Sequence, residues 1–180
     1  ISVSSYIFPA GECSKTLATL SDILEFLAGE HLTRTDCVAA LGGGVVGDIT
    51  GFAAATYLRG LDYLQIPTSL LAQVDSSVGG KTAIDLPGGK NLVGAFKQPV
   101  AVLCDLDTLD TLPKMFLADG MGEVIKYGMI RDEKLFELLE QHNLENVSSA
   151  MDEIVPTCID IKRDVVEQDE FDTGERMILN

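Results

Sequence analysis

Two lysines standing behind paired glycines, Lys81 in Gly79-Gly80-Lys81-Thr82 and Lys90 in Gly88-Gly89-Lys90-Asn91, carry the plainest chemical signal in this sequence. Gly80-Lys81-Thr82 ends like a Walker A phosphate loop, whose first glycine would stand at position 75. Asp75 stands there instead, and a carboxylate where the loop needs bare backbone would repel the anion. The two lysines therefore need another reading. An ammonium is a compact partner for phosphate or carboxylate, and Asp75 can accept a hydrogen bond from a substrate hydroxyl.

Other residues offer chemistry at recognisable spacings. Gly42, Gly44 and Gly47 fit G-x-G-x-x-G between an expected strand and an expected helix, where backbone amides and a helix N-terminus can receive a pyrophosphate. The alternative is glycine needed only for close strand-to-helix packing. The acidic residue that usually ends the next strand is missing, because that strand ends Ile66-Pro67-Thr68, so an ordinary Rossmann dehydrogenase fits poorly. Glu12 and Lys15 open a helix at the ligand-binding edge of a parallel sheet. There Glu12 could accept from ribose hydroxyls, and Lys15 could meet a phosphate or only cap the helix. Arg59 precedes Gly60 in a helix-ending pattern, where an arginine can simply offset the helix dipole. Glu123 and Lys126 are three apart, on one helical face, as a surface ion pair would be. Met121, Val124, Ile125 and Tyr127 leave that helix little polar surface, however, so the pair could face a cavity in which Glu123 ligates a divalent metal. His31 and His142 show no clustered spacing that would supply a second ligand. Lys162 and Arg176 lie in the last helical region, where solvated surface charge is the plain alternative.

The elements that must position these groups alternate. "SVSSYIF" reads as a strand, "SKTLATLSDILEFLAGE" as a helix with Leu17, Leu20, Ile23, Leu24 and Leu27 at helical spacing, and "CVAAL" as a buried strand. "VVGDITGFAAATYL" follows as a small-residue helix, then "DYLQI" and "VAVLCD" as strands. The pattern predicts an α/β, βαβ architecture with a parallel sheet. After Pro113 the segments "KMFLADGMGEVIKYGMI", "DEKLFELLEQH" and "SSAMDEIVPTCIDIKRDVVEQ" are all helical in period. A domain boundary is expected near Thr111–Pro113, giving an α/β domain over 1–112 and a helical domain over 113–180.

With 180 residues and 46% hydrophobic content, the chain can bury a substantial core. A formal net charge of −15 argues against nucleic acid or anionic membrane as partner. Any anionic ligand must be caught by a local cluster of the 13 basic residues. The four cysteines form no C-x-x-C pair and read as reduced structural thiols of a cytoplasmic protein. No apolar run approaches the ~20 residues that span a bilayer. The chain opens on isoleucine and "GERMILN" stops inside a helical pattern, so further residues, a targeting segment among them, are expected outside it.

"LGGGVVGDITGFAAATYLRG", "IPTSLLAQVDSSVGGKTAID", "GKNLVGAF", "GMGEVIKYG" and "RMILN" together resemble 3-dehydroquinate synthase, in order and at matching spacing over nearly the whole chain. The sister cyclases that make inosose or valiolone products usually alter the Asp-Ser-Ser-x-Gly-Gly-Lys block, which is intact here. The resemblance implies a Rossmann-like NAD-binding domain followed by the beginning of a mainly helical metal and substrate domain. It implies conversion of the seven-carbon sugar-acid phosphate of the shikimate pathway to 3-dehydroquinate, with NAD and a divalent metal, zinc or else cobalt. It places NAD against Glu12, Lys15, the turn Gly43, Gly44, Val45, Val46, Gly47 and Asp48, Thr68 with Ser69, and Thr108, Leu109, Asp110 and Thr111. Lys81 and Lys90 match both cofactor and substrate contacts, and Glu123 matches a metal ligand. Asp75, Asn91, Lys126, Lys162, Arg176 and Asn180 match substrate-site residues. Arg59 matches a phosphate-contacting arginine that reaches a neighbouring subunit's site, which implies a homodimer. The family's two metal-ligating histidines would follow Asn180, so the 180 residues alone are expected to be inactive.

Overall fold

A computed structural model describes residues 2–179. Its chain folds as two compact units, residues 1–66 with 80–103 and residues 67–79 with 104–180.

In the first unit, Thr16 caps helix α1 (Leu17–Gly29) by accepting from the Thr19 N–H. Leu20, Ile23 and Leu27 recur at helical spacing and are buried, whereas Leu17 is exposed. Strand β1 (Cys37–Gly42) leads through the glycine turn into α2 (Gly44–Thr56), whose Ile49, Phe52 and Ala53 join the α1 residues in one core. Strand β2 (Asp62–Pro67) is the middle of a sheet ordered β1-β2-β5, and it pairs in parallel with β5 (Ala101–Val102). Parallel pairing with a helical crossover is the α/β class expected from the sequence.

Two elements differ from expectation. Residues 2–9 form no strand, and Val3 and Ile7 are exposed. "VAVLCD" shortens to the two-residue β5. An antiparallel hairpin stands outside the expected elements: β3 (Lys81–Leu86) and β4 (Gly89–Phe96), joined by Pro87 and Gly88 with a register shift between Ile84 and Leu86. Ile84 anchors that hairpin in the α1–α2 core.

The second unit is helical: α3 (Lys114–Ile130), α4 (Glu133–Glu140), capped by Asp132, and α5 (Met151–Gln168). Leu117, Met121, Val124 and Tyr127 of α3 and Ile154, Val155, Cys158 and Val165 of α5 share one apolar core. Leu70 and Val74 belong to the same core, and for that reason residues 67–79 join this unit although they precede the hairpin in sequence. The two compact units thus interleave along the sequence. α5 carries Pro156 as its sixth residue, which removes the N–H that would bond the Asp152 carbonyl. All four cysteines are free. Burial pushes the Cys158 thiol up to about 12, so it packs as an inert apolar side chain.

Candidate functional site

Two polar clusters, one in each unit, contain most of the residues singled out by the sequence. In the helical unit the chain from Ala72 to Ser76 forms a single π turn, a distortion that re-aims side chains at one point along a helix. Asp75 sits in it. The Lys162 ammonium, on α5 and only 6% exposed, donates to Asp75 Oδ1 at 2.5 Å and also to the Asp75 carbonyl. The fully buried Tyr127 on α3 directs its hydroxyl at Asp75 Oδ1 and the Val74 carbonyl, both at 3.2 Å. Burial by itself would lift the Asp75 carboxyl. The Lys162 charge and hydrogen bond, the Lys126 charge and the Tyr127 hydroxyl outweigh it and hold the group below the usual carboxylate range. Burial, with the Asp75 and Glu123 charges, raises the Tyr127 phenol far above its ordinary value, so it remains a protonated donor.

Immediately before Tyr127 on α3, Lys126 forms an ion pair with Glu123 and donates to the Leu179 carbonyl at 2.6 Å. The two side chains are each 27% exposed, so the i,i+3 pair is half-buried and not a solvated surface pair. Arg176, 2% exposed, is held by its backbone N–H to Asp169 Oδ2 at 3.0 Å and by Nη1 to the Glu170 carbonyl at 2.6 Å. Burial draws its pKa down, opposed by the charges of Asp172, Asp75, Asp169 and Glu170. Asn180 lies outside the described residues.

The Glu123 carboxylate has the donor atoms that a divalent cation would need. Its Oε2 is buried without an oriented hydrogen bond and meets only the Lys126 charge, which leaves lone pairs for a cation. Among the described residues no group of three His, Cys, Asp or Glu could hold a metal, so further ligands would have to come from elsewhere. His142 bonds the Leu138 carbonyl through Nδ1 at 2.9 Å, and His31 is exposed in a left-handed turn.

In the α/β unit, Lys15 is buried. Its ammonium bridges Asp48 Oδ2 on α2 at 2.6 Å and Asn91 Oδ1 on β4 at 2.5 Å, rather than capping α1 or pointing to solvent. Asp85 completes the arrangement: its N–H donates to the Lys15 carbonyl, and its Oδ1 accepts from the Asn91 N–H, both at 2.8 Å. That bond holds Asn91 at φ +56. Lys90 pairs with Glu12 at 3.2 Å on the exposed rim. Lys81 opens β3 and is exposed.

The glycine turn suits an anion. Gly42 adopts φ +156, and a Cβ there would lie 2.7 Å from Val46 Cγ2. Gly43 caps α2 with no side-chain hydrogen bond, so the first N–H groups of that helix carry no side-chain partner. Gly47 lies close to the Gln65 amide, so the third glycine of the pattern serves packing. Leu58 and Arg59 both adopt left-handed conformations, φ +50 and +69, before Gly60. Two such non-glycine residues in succession cost roughly 1–2 kcal/mol each. The strained turn holds Arg59 exposed, with no ion pair among the described residues.

Thr68 and Ser69 follow β2, and Ser69 Oγ accepts from the Ala72 N–H at 3.3 Å. Thr108 to Thr111 lie in the 3₁₀ turn Leu106–Thr111. The Thr108 hydroxyl is already used, donating to the Asp105 carbonyl at 2.6 Å. Sequence reasoning missed Tyr127, Gln73 and Asp85 as polar anchors. Gln73 had a usable signal, as a lone amide in the apolar run Leu70-Leu71-Ala72-Gln73-Val74.

These features define the fold of the sugar phosphate cyclases. A 2-epi-5-epi-valiolone synthase from Streptomyces hygroscopicus subsp. jinggangensis, solved with NAD+ and Zn2+ bound, superposes with a TM-score of 0.91 at 27% identity over 96% of this chain and 49% of its own. A 2-deoxy-scyllo-inosose synthase complexed with carbaglucose-6-phosphate, NAD+ and Co2+ gives 0.87 at 30%, again over 96% of this chain and 49% of its own. Residues 5–119 match the 3-dehydroquinate synthase N-terminal family and residues 120–180 the C-terminal one. The chain belongs to the 3-dehydroquinate synthase family. The 3-dehydroquinate synthase of Clostridium acetobutylicum is 58% identical over 99% of this chain, and that of Clostridium perfringens 57% over 94%. The chain spans about half the length of these relatives, 50% and 49%.

Proposed function

We propose that this chain is part of a 3-dehydroquinate synthase, which converts 3-deoxy-D-arabino-heptulosonate 7-phosphate to 3-dehydroquinate and phosphate in the cytoplasm. The single observation that carries this reading is the Asp75–Lys162–Tyr127 cluster with the adjoining Glu123–Lys126 pair, four charges gathered around an apolar core in an acidic protein. Relatives of which this chain spans about half, 58% and 57% identical to it, are named for this activity.

Bound NAD supplies the transient acceptance and return of a hydride, and a divalent metal, zinc or cobalt, supplies Lewis acidity toward the substrate alcohol. The Gly43–Asp48 turn would hold the pyrophosphate through backbone N–H groups, with Glu12, Lys15, Thr68, Ser69 and Thr108–Thr111 around the rest of the cofactor. Glu123 would be one metal ligand. Asp75 stays ionised and accepts a hydroxyl hydrogen bond, and its own partners Lys162 and Tyr127 fix where that acceptor points. Arg59, Lys81, Lys90, Lys126, Lys162 and Arg176 are the cations for the substrate's phosphate and carboxylate, with Asn91 and Asn180 as further polar contacts. Fixed cations aimed at a departing phosphate stabilise charge as it develops, so no strong protein nucleophile is required. Arg59, exposed on its strained turn, suits a contact with a second copy in a homodimer. The functional division into a cofactor domain ending at 112 and a metal and substrate domain beginning at 113 belongs to the same proposal.

In the full-length enzyme, Lys162→Met is expected to reduce kcat for phosphate release by at least ~100-fold, the order seen when one preorganised charge is removed, with NAD affinity kept. Undiminished turnover sinks the role. The 180 residues alone, with NAD and zinc, are expected to release no phosphate. A related cyclase activity, which the likeness to the inosose and valiolone enzymes favours, would show as turnover of a sugar phosphate without a carboxylate in preference to the heptulosonate.

A further inference from the structure

Gln73 is fully buried and sits inside the π turn, two residues before Asp75. Its Nε2 meets three acceptors: the Pro67 carbonyl at 3.2 Å, the Asp105 carbonyl at 3.0 Å and Thr108 Oγ1 at 3.1 Å. All three face the nitrogen with lone pairs. The amide orientation therefore follows from the partners, because an amide oxygen turned toward them would face oxygen on every side. Thr108 passes the chain of bonds on by donating to the Asp105 carbonyl, so one side-chain amide ties the end of β2 to the 3₁₀ turn Leu106–Thr111. Pro67 immediately precedes Thr68 and Ser69, and Asp105 and Thr108 bracket the start of the 108–111 stretch. These are the two segments of the helical unit assigned to NAD.

The Gln73 Oε1 atom, by contrast, is buried without a hydrogen-bond partner. A buried, half-satisfied amide is a costly choice for a position whose neighbours Leu70 and Val74 are core residues, since an unpaired buried acceptor costs about what a good hydrogen bond contributes. Filling space does not explain it; holding two loops at a set separation does.

We infer that Gln73 is a positioning residue for the cofactor: it touches neither NAD nor substrate, and sets the spacing of the 68–69 and 108–111 backbones that NAD must meet together. The inference rests on the assignment of those segments to NAD. Misplacement of two contact segments acts on cofactor binding first, because preorganisation lost in the free protein must be restored on binding.

The test is made in the full-length enzyme with Gln73→Met, which keeps length and apolar volume and removes both donors. Calorimetric titration with NAD+ is expected to show affinity reduced about tenfold, with metal content and the KM for the heptulosonate phosphate changed by less than about twofold. Wild-type NAD affinity overturns the inference. So does an equal loss in NAD affinity, substrate KM and metal content, which marks a purely structural amide. Amide exchange of the wild-type enzyme separates this failure from failure of the site assignment: NAD+ should slow exchange in 68–72 and 105–111, and absence of that protection defeats the assignment itself. Should Gln73→Met not accumulate as folded protein, Gln73→Asn, which keeps the amide but draws it back from its three acceptors by one methylene, is expected to weaken NAD+ binding by a smaller factor. Unchanged affinity there overturns the inference equally.

Discussion

Lys162 holds the Asp75 carboxyl in its charged state, and the direction of the Asp75 shift fixes how that carboxyl responds to acid. Burial opposes ionisation, but Lys162, Lys126 and Tyr127 win, so the folded carboxyl titrates below its unfolded value. In the unfolded chain it binds a proton near pH ~4, and in the folded protein only at lower pH. The unfolded state therefore takes up protons first. The stabilisation is complete above pH ~4 and is lost as pH falls through the folded pKa. Asp75→Asn leaves the buried Lys162 ammonium without its counter-charge and is expected to lower stability by about 1–3 kcal/mol at neutral pH. That difference from wild type should shrink progressively below pH ~4. Denaturant titrations of both proteins between pH 7 and pH 3 check this, and a constant gap across the range would show that the carboxyl is not held down. The sequence showed Asp75 as an intruder in a phosphate-loop pattern but could not show its partners. Lys162 lies 87 residues away, and only packing of α5 on the π turn brings the two together.

At the scale of elements, the turn between the π turn and β3 is shaped by a guanidinium. Gly79 adopts φ +102, and a Cβ there would stand 2.2 Å from Arg176 Nη2 and 2.8 Å from Val166 Cγ2. Arg176 is anchored at both ends by Asp169 and Glu170, so it has little room to retreat. Gly79→Ala thus combines a disfavoured backbone conformation with displacement of a buried charge. We expect a loss of about 2–4 kcal/mol, read as a lowered denaturant midpoint; a loss below about 0.5 kcal/mol would show that Arg176 moves freely. The glycine pair ahead of Lys81 is visible in the sequence. Its close approach to Arg176 is not, because nothing local links position 79 to position 176. Helices read from their apolar spacing, α1, α3, α4 and α5, were legible for the opposite reason: that spacing is local. The β3–β4 hairpin has only a local turn signal, Leu-Pro-Gly-Gly, because β4 is largely exposed and shows no clear apolar alternation.

For the whole molecule, the interleaving of the two units decides what can fold alone. A cut at 103/104 separates residues 67–79 from the helices they pack on, and a cut at 112/113 does the same. The C-terminal piece would lose Leu70 and Val74, both fully buried, at about 1.5–3 kcal/mol each. It would also lose Asp75 as partner of Lys162, and Gly79 as the surface on which Arg176 lies. Together these approach the 5–15 kcal/mol that separates a folded domain from its unfolded chain. Pieces 1–103 and 104–180 produced separately are therefore expected to differ. The helical piece should show helical circular dichroism without a cooperative thermal transition, and a peptide covering 67–79 added in excess should restore part of that transition by mass action. A sharp, peptide-independent transition in 104–180 would mean that its core is complete without Leu70 and Val74. The Asp75 cluster would then be fastened onto a finished helical domain instead of being built into its core.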